Sequence, residues 1–339
     1  MGATVKAPRI SSTRLSPDNE AVLVELGLLR ELAGNWQGKG FNLIARPDRE
    51  GNGALFLELN QTYEILKFDP ISSPIPNRGS VQDDIVLHGL TYLQQISDSV
   101  TGGALHIEPG IWVTQPATTA PPEQPPIGHQ IVARMASIPH GNALLAQGSA
   151  IPVPSLTNGT FQIAPVNTAP FAAGTPMPIA GTQGGFPPYN LSDLSPAATS
   201  FRTPFGDTPA VPLPASINNV PMQTVINDPT RLLQEAINGQ FIEKMVVLNI
   251  ATVLSIDIAS GPIAVPFGAG GIENMPFLET NADAALVFAT FWIETIKKPI
   301  GHFLQLQYVQ TVLLNFQIEL APMLSWPHVS VATLRKTFG

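Results

Sequence analysis

The sequence predicts an all-β protein: an antiparallel up-and-down β-barrel of about ten strands, with short helices and one long Pro-rich insertion. Three observations predict it. Segments with a two-residue hydrophobic period recur in both halves of the 339-residue chain, separated by turns short enough for sequential pairing. Gly34-Asn35-Trp36-Gln37-Gly38-Lys39-Gly40 suits the closed end of a small barrel: its glycines permit bending and close strand approach, and the Trp36 indole can plug the floor with its N–H on a carbonyl. Residues 151–228 then break the period with Pro, Gly, Ala, Thr and Asn and almost no charge.

Ser16-Pro17-Asp18 reads as a helix start, and Val22, Leu23, Leu26, Leu29, Leu32 and Ala33 follow at helical spacing. The expectation is one helix over 17–32, stopped at Gly34 and closing a barrel mouth. From Trp36 the period is two. Leu55, Leu57, Leu59, Tyr63 and Ile65 share one face of a half-buried strand, with Glu58, Asn60, Thr62 and Glu64 on the other. Further strands are expected over 85–97, 104–114, 129–137 and 143–150, with a bulge or kink at Pro109-Gly110. A helix start at Asn227-Asp228-Pro229 leads to a stop at Gly239. Strand pattern resumes over 242–258, 284–296, 303–316 and 326–334. The chain thus divides into an N-terminal arm and helix (1–33), a first part of the barrel (34–150), an insertion ending in a short helix (151–239) and a second part of the barrel (240–339). The aromatics scattered through the insertion favour an extended arm packed on the barrel, or on a second subunit of a homo-oligomer, over a mobile linker.

Hydrophobic residues make up 44% of the chain, enough for a core, and charged residues 12%, about half the usual share. A net charge of −8 argues against nucleic-acid binding by counterion release. With no cysteine there are no disulfides, thiolate metal sites or thiol nucleophiles. This suits a reducing compartment, and cytoplasmic location is the expectation. Met1 to Leu15 lacks the apolar core of a signal peptide, and no apolar run approaches a transmembrane helix.

The candidate site residues are histidines and one tryptophan. His328, Ser330 and Ala332 share a strand face whose small side chains leave room beside an imidazole; a histidine fixed by a strand-end hydrogen bond explains His328 equally well. His106 shares a face with Glu108, a pair able to fix a tautomer or simply to brace the rim. His88 alternates with Val86, Leu90 and Tyr92 and reads as a core or pocket residue. Rim or surface positions explain His129, His140 and His302, and as loop histidines they could also serve a distal pocket. The sequence carries no His-Glu-x-x-His, calcium-loop or Gly-x-Ser-x-Gly signature, and Gly268-Ala269-Gly270-Gly271 lacks the setting of a phosphate loop.

Three segments resemble the nitrobindin-like haem-binding β-barrels of the calycin group, which includes lipocalins and fatty-acid-binding proteins. Leu32 to Gly40 is similar to that family's Leu-x-Gly-x-Trp-x-Gly-x-Gly opening, His106-Ile107-Glu108-Pro109-Gly110 to its His-x-Glu-x-Gly strand, and Pro327 to Leu334 to its final strand. The chain departs from the family in being about twice as long and in carrying the insertion. The resemblance implies a b-type haem (heme b) in the barrel, its iron held on the proximal side by His328. His106, His88 and Trp36 would be the other cofactor-binding residues. It also implies chemistry with nitric oxide, peroxynitrite or peroxide and, if the protein is an enzyme, peroxynitrite isomerase-like or peroxidase-like activity. The rival expectation is a carrier of an apolar small molecule such as a fatty acid, terpenoid or pigment. A third is an assembly role for the Pro-rich arm.

Overall fold

A computed structural model of the chain describes residues 19–47, 55–180, 189, 214–316 and 323–337. Ten long strands form the barrel: β1 (Gly34–Pro47), β2 (Leu55–Pro70), β3 (Ile85–Asp98), β4 (Ala104–Gln115), β5 (Gln130–Ile138), β6 (Asn142–Val153), β7 (Phe241–Ala251), β8 (Asp283–Lys297), β9 (His302–Phe316) and β10 (Leu324–Thr337). Each pairs antiparallel with the next, and β10 returns to pair with β1 from Asn35↔Thr337 to Leu43↔Val329. Closure leaves none of the ten as an unpaired edge. The insertion falls between β6 and β7, which nevertheless pair directly, Met245 opposite Val153.

The expected close approach at the glycines is present where β1 meets β10. A Cβ on Gly38 would come 2.8 Å from Leu334 Cα, and one on Gly40 would meet the Val331 carbonyl and lie 2.8 Å from Glu64 Oε1. Glycine there lets two backbones approach and leaves room for an inward carboxyl group. Trp36 is fully buried one turn of the pleat below and donates its indole N–H to the Leu32 carbonyl at 2.6 Å.

The N-terminal helix differs from the expectation. Among the described residues it comprises α1 (Asn19–Glu25) and then a 3-10 turn, Gly27–Leu32; positions 17 and 18 lie outside the described residues. The break is at Gly27, where φ is +55° and the Gln130 side chain occupies the space a Cβ would need. Gln130 Oε1 takes the freed Leu28 N–H at 2.5 Å. Leu26, Leu29 and Leu32 still point into the barrel and close that end.

No register shift occurs at Pro109, which faces Leu93 in an unbroken ladder; the irregularity lies at Ile96/Ser97. Pro109 is tolerated because pairing of β4 with β5 begins only at Gly110, so no neighbour asks for its missing N–H. The strand expected over 242–258 ends at Ala251, and a two-residue pairing of Ser255–Ile256 with Ile263–Ala264 follows.

The described parts of the insertion pack on the outside of the barrel wall. Helices α2 (Met222–Asn227) and α3 (Thr230–Ala236) bury Val225, Ile226 and Leu233 against outward-facing Phe41, Leu43, Val329 and Val331. Gln307, also outward, donates to the Leu233 carbonyl at 3.0 Å. Asp228 accepts from Thr230 N–H and Oγ just before α3, where the sequence suggested a helix start. The barrel therefore has a core on each side of its wall, and alternate residues of β1, β9 and β10 are buried on both faces.

That double burial reverses the reading of β2. Leu57 and Leu59 face outward beneath the insertion, whereas Asn60, Thr62 and Glu64 face the interior and are 1%, 1% and 2% exposed. The polar face belongs to the inside of the barrel. No helix among the described residues is long and apolar enough to cross a membrane.

Candidate functional site

The end of the barrel opposite Trp36 holds a cavity of about 310 Å³. Its walls are largely apolar, with Leu66, Phe68, Ile96, Trp112 and Phe291 among them. Trp112 and Phe291 meet edge to face at 5.3 Å. A short helix, α4 (Pro276–Asn281), lies at the mouth and turns Leu278 into the cavity. It is held through Asn274, which bonds Asn142 and the Asp283 carboxylate.

His328 borders this cavity with Ser330, and Ala332 lies in the same inner core, so the predicted strand face points inward. The ring is part-exposed along the cavity, while its Nε2 is covered and has no hydrogen-bond partner among the described residues. Burial, helped by the neighbouring His106 and His140, pulls its pKa down to about 4, so the imidazole is neutral at physiological pH. Among the described residues no strand-end hydrogen bond holds that nitrogen.

His106 and Glu108 form the pair expected of them, Nε2 to Oε2 at 3.2 Å, and both line the cavity. His140 lies at the rim with its ring centroid 5.8 Å from that of His106. Three histidines thus gather at one end of the cavity. Among the described residues no group of three or more His, Asp or Glu stands close enough to hold a metal ion directly.

His88 and Trp36 do not line the cavity. His88 faces Glu25 of α1, Nε2 to Oε2 at 3.7 Å, at the plugged end. Trp36 is the floor beneath the inner core, with the Lys336 ammonium 5.3 Å from its ring centroid. Both positions follow from the strand direction: β1 and β3 carry these residues to the plugged end and Asn42 and Ile96 to the open one.

The main residues missed in the sequence are Arg134, Tyr92, Tyr308 and Glu64. Arg134, 3% exposed, bonds Glu108, donates to Tyr92 Oη at 2.9 Å and to Gln310 Oε1 at 2.6 Å, and lies over the Tyr92 and Phe291 rings. Tyr92 also donates to Glu108. Burial would raise the Glu108 pKa, but the Arg134 charge, with bonds from His106 and Tyr92, outweighs it and holds the carboxyl at about 2. Beside this pair Tyr308 donates to Glu64 at 2.8 Å and Gln94 donates to it at 3.2 Å. Glu64 has no salt-bridge partner among the described residues, and burial pushes its pKa up to about 7 against those bonds and the His106 charge. The cavity wall therefore carries one fixed ion pair, and behind its Tyr308 and Gln94 lies one carboxyl group whose pKa is near neutrality. The signal available in the sequence was Arg134 standing between Val132 and Ala136 on a strand apolar on both faces.

Fold and site together define a closed ten-stranded antiparallel β-barrel with an interior cavity suited to a small ligand. No known family profile matches the chain, and no curated protein matches it. Among solved structures, the crystal structure of Rv2717c from M. tuberculosis is similar at 13% identity, over 96% of this chain and all of that one, with a TM-score of 0.37. That likeness is too distant to give any residue here a role.

Proposed function

We propose that the protein binds b-type haem in the barrel, with His328 as the proximal iron ligand. The observation that carries this reading is the His328 imidazole: it borders the cavity, is neutral, and has a nitrogen without a partner among the described residues. A buried polar atom left unpaired costs about 1–3 kcal/mol; Nε2 is itself covered, so iron would reach it once the ring turns toward the cavity. Haem iron takes four ligands from its macrocycle and needs one imidazole, so a lone histidine suffices where a bare ion would need more. Bound there, haem would supply an iron position open to nitric oxide, peroxynitrite or peroxide. The chain's own part is to hold His328 neutral, to exclude water with Trp112, Phe291 and Leu278, and to keep Glu108 charged and oriented through Arg134.

A second reading, an apolar small molecule carried without iron, is favoured by the largely apolar wall and by the cavity's place at the low end of the ~300–1,000 Å³ range of small-molecule sites. A fatty-acid carboxylate fits this reading poorly, because Arg134 is already engaged with Glu108. Absorbance titration of the purified protein with haemin separates the two. The haem reading expects a saturable one-to-one Soret shift that His328→Ala abolishes or moves. No shift, or one indifferent to His328→Ala, rejects it, and mass spectrometry of extracted ligand then tests the carrier.

A further inference from the structure

A second hollow, of about 560 Å³, lies at the other end of the barrel beside the 3-10 turn. Its inner wall is made by Val246 of β7, Ile293 of β8 and Leu304 of β9, and Leu28 lines it from the plug. Leu28, Val246 and Leu304 pack on the inner core yet remain only partly buried, because the plug fills one side of this end and leaves the other open. Packed core residues, Leu248, Phe291 and Leu306, stand between this hollow and the His328 cavity.

The chain carries −8 overall, yet two cations, Arg30 and Lys244, border this opening against one carboxylate, Glu31, so the rim is locally positive. Lys244 has no ion-pair partner among the described residues, and Arg30 has a partly exposed partner in Glu31 at 3.5 Å. The Lys336 ammonium approaches the same turn and donates to the Glu31 carbonyl at 2.9 Å. An apolar floor beneath a cationic rim is complementary to an anion with a short apolar tail.

We propose that this hollow is a second binding site, for an amphipathic anion such as a medium-chain carboxylate. The tail lies against Val246, Ile293 and Leu304, and the head sits between Arg30 and Lys244. The site is independent of whatever the His328 cavity holds. Octanoate titrated into the nitrogen-15-labelled full chain tests it. Saturable amide shifts are expected at Leu28, Val246 and Leu304. Reversing both exposed charges, Arg30→Glu with Lys244→Glu, should weaken binding about tenfold, and Lys244→Met alone by about threefold, with other resonances unmoved. Shifts confined to His106, Ser330 and their neighbours, the absence of saturable shifts, or an affinity unchanged in both variants would overturn the proposal.

Discussion

Removing Arg134 tests the electrostatics of the cavity wall. Glu108 is 1% exposed and its carboxyl falls from an ordinary 4.5 to about 2 in the folded chain. At about 1.4 kcal/mol per pH unit that difference stabilises the fold by roughly 3 kcal/mol. Because the folded value lies below the unfolded one, the contribution is fully present above pH 4.5 and is lost as pH falls through about 2. Arg134→Met leaves the carboxyl buried with its cation gone, and breaking such a pair costs about 3–5 kcal/mol. Urea unfolding at pH 7 should show that loss. At pH 3 the wild type has itself given up part of the contribution, so the difference should shrink to roughly 1–2 kcal/mol. Replacing both partners, Arg134→Met with Glu108→Leu, should recover most of the loss, since apolar groups tolerate this environment. A single variant losing under about 1 kcal/mol at pH 7, or a double variant as unstable as the single, would refute the reasoning.

Two further changes follow from the same interior. Glu64 is raised from 4.5 to about 7, so its contribution is complete below pH 4.5 and lost as pH rises through about 7. Glu64→Gln should leave stability at pH 4 within about 1 kcal/mol of wild type and raise it at pH 8 by about 2–3 kcal/mol, read by urea unfolding at both. Gly40→Ala places a methyl 2.6 Å from Thr62 Oγ1 and against the Val331 carbonyl; it should cost about 1–3 kcal/mol through a lower urea midpoint at unchanged slope.

The barrel was legible because turn spacing and a two-residue period are local properties. That His328 shares a strand face with Ser330 and Ala332 was legible too; which way that face points was not, and is fixed by Ala332 lying in the inner core. His106 and Glu108 were legible for the same reason, being two apart on one strand. The Arg134–Glu108 pair joins residues 26 apart on neighbouring strands, and Glu64 meets Tyr308 across 244 residues. No local pattern announces such pairings. The reading of β2 was reversed by the insertion: Leu57 and Leu59 are apolar because α2 and α3 cover the outer wall, and Glu64 is inside because Gly40 leaves it space. The helix expected over 17–32 gives way at Gly27 to a 3-10 turn, because Gly27 fits a helical spacing while the Gln130 side chain that fills its Cβ space comes from a distant strand.

The haem reading is tested most directly by anomalous scattering at the iron edge from crystals grown with haemin. The account predicts one peak in the cavity, within coordination distance of the His328 imidazole and lost in crystals of His328→Ala. A peak beside His106 or His140 instead, or none in the barrel at full occupancy of the crystal by folded protein, would contradict it.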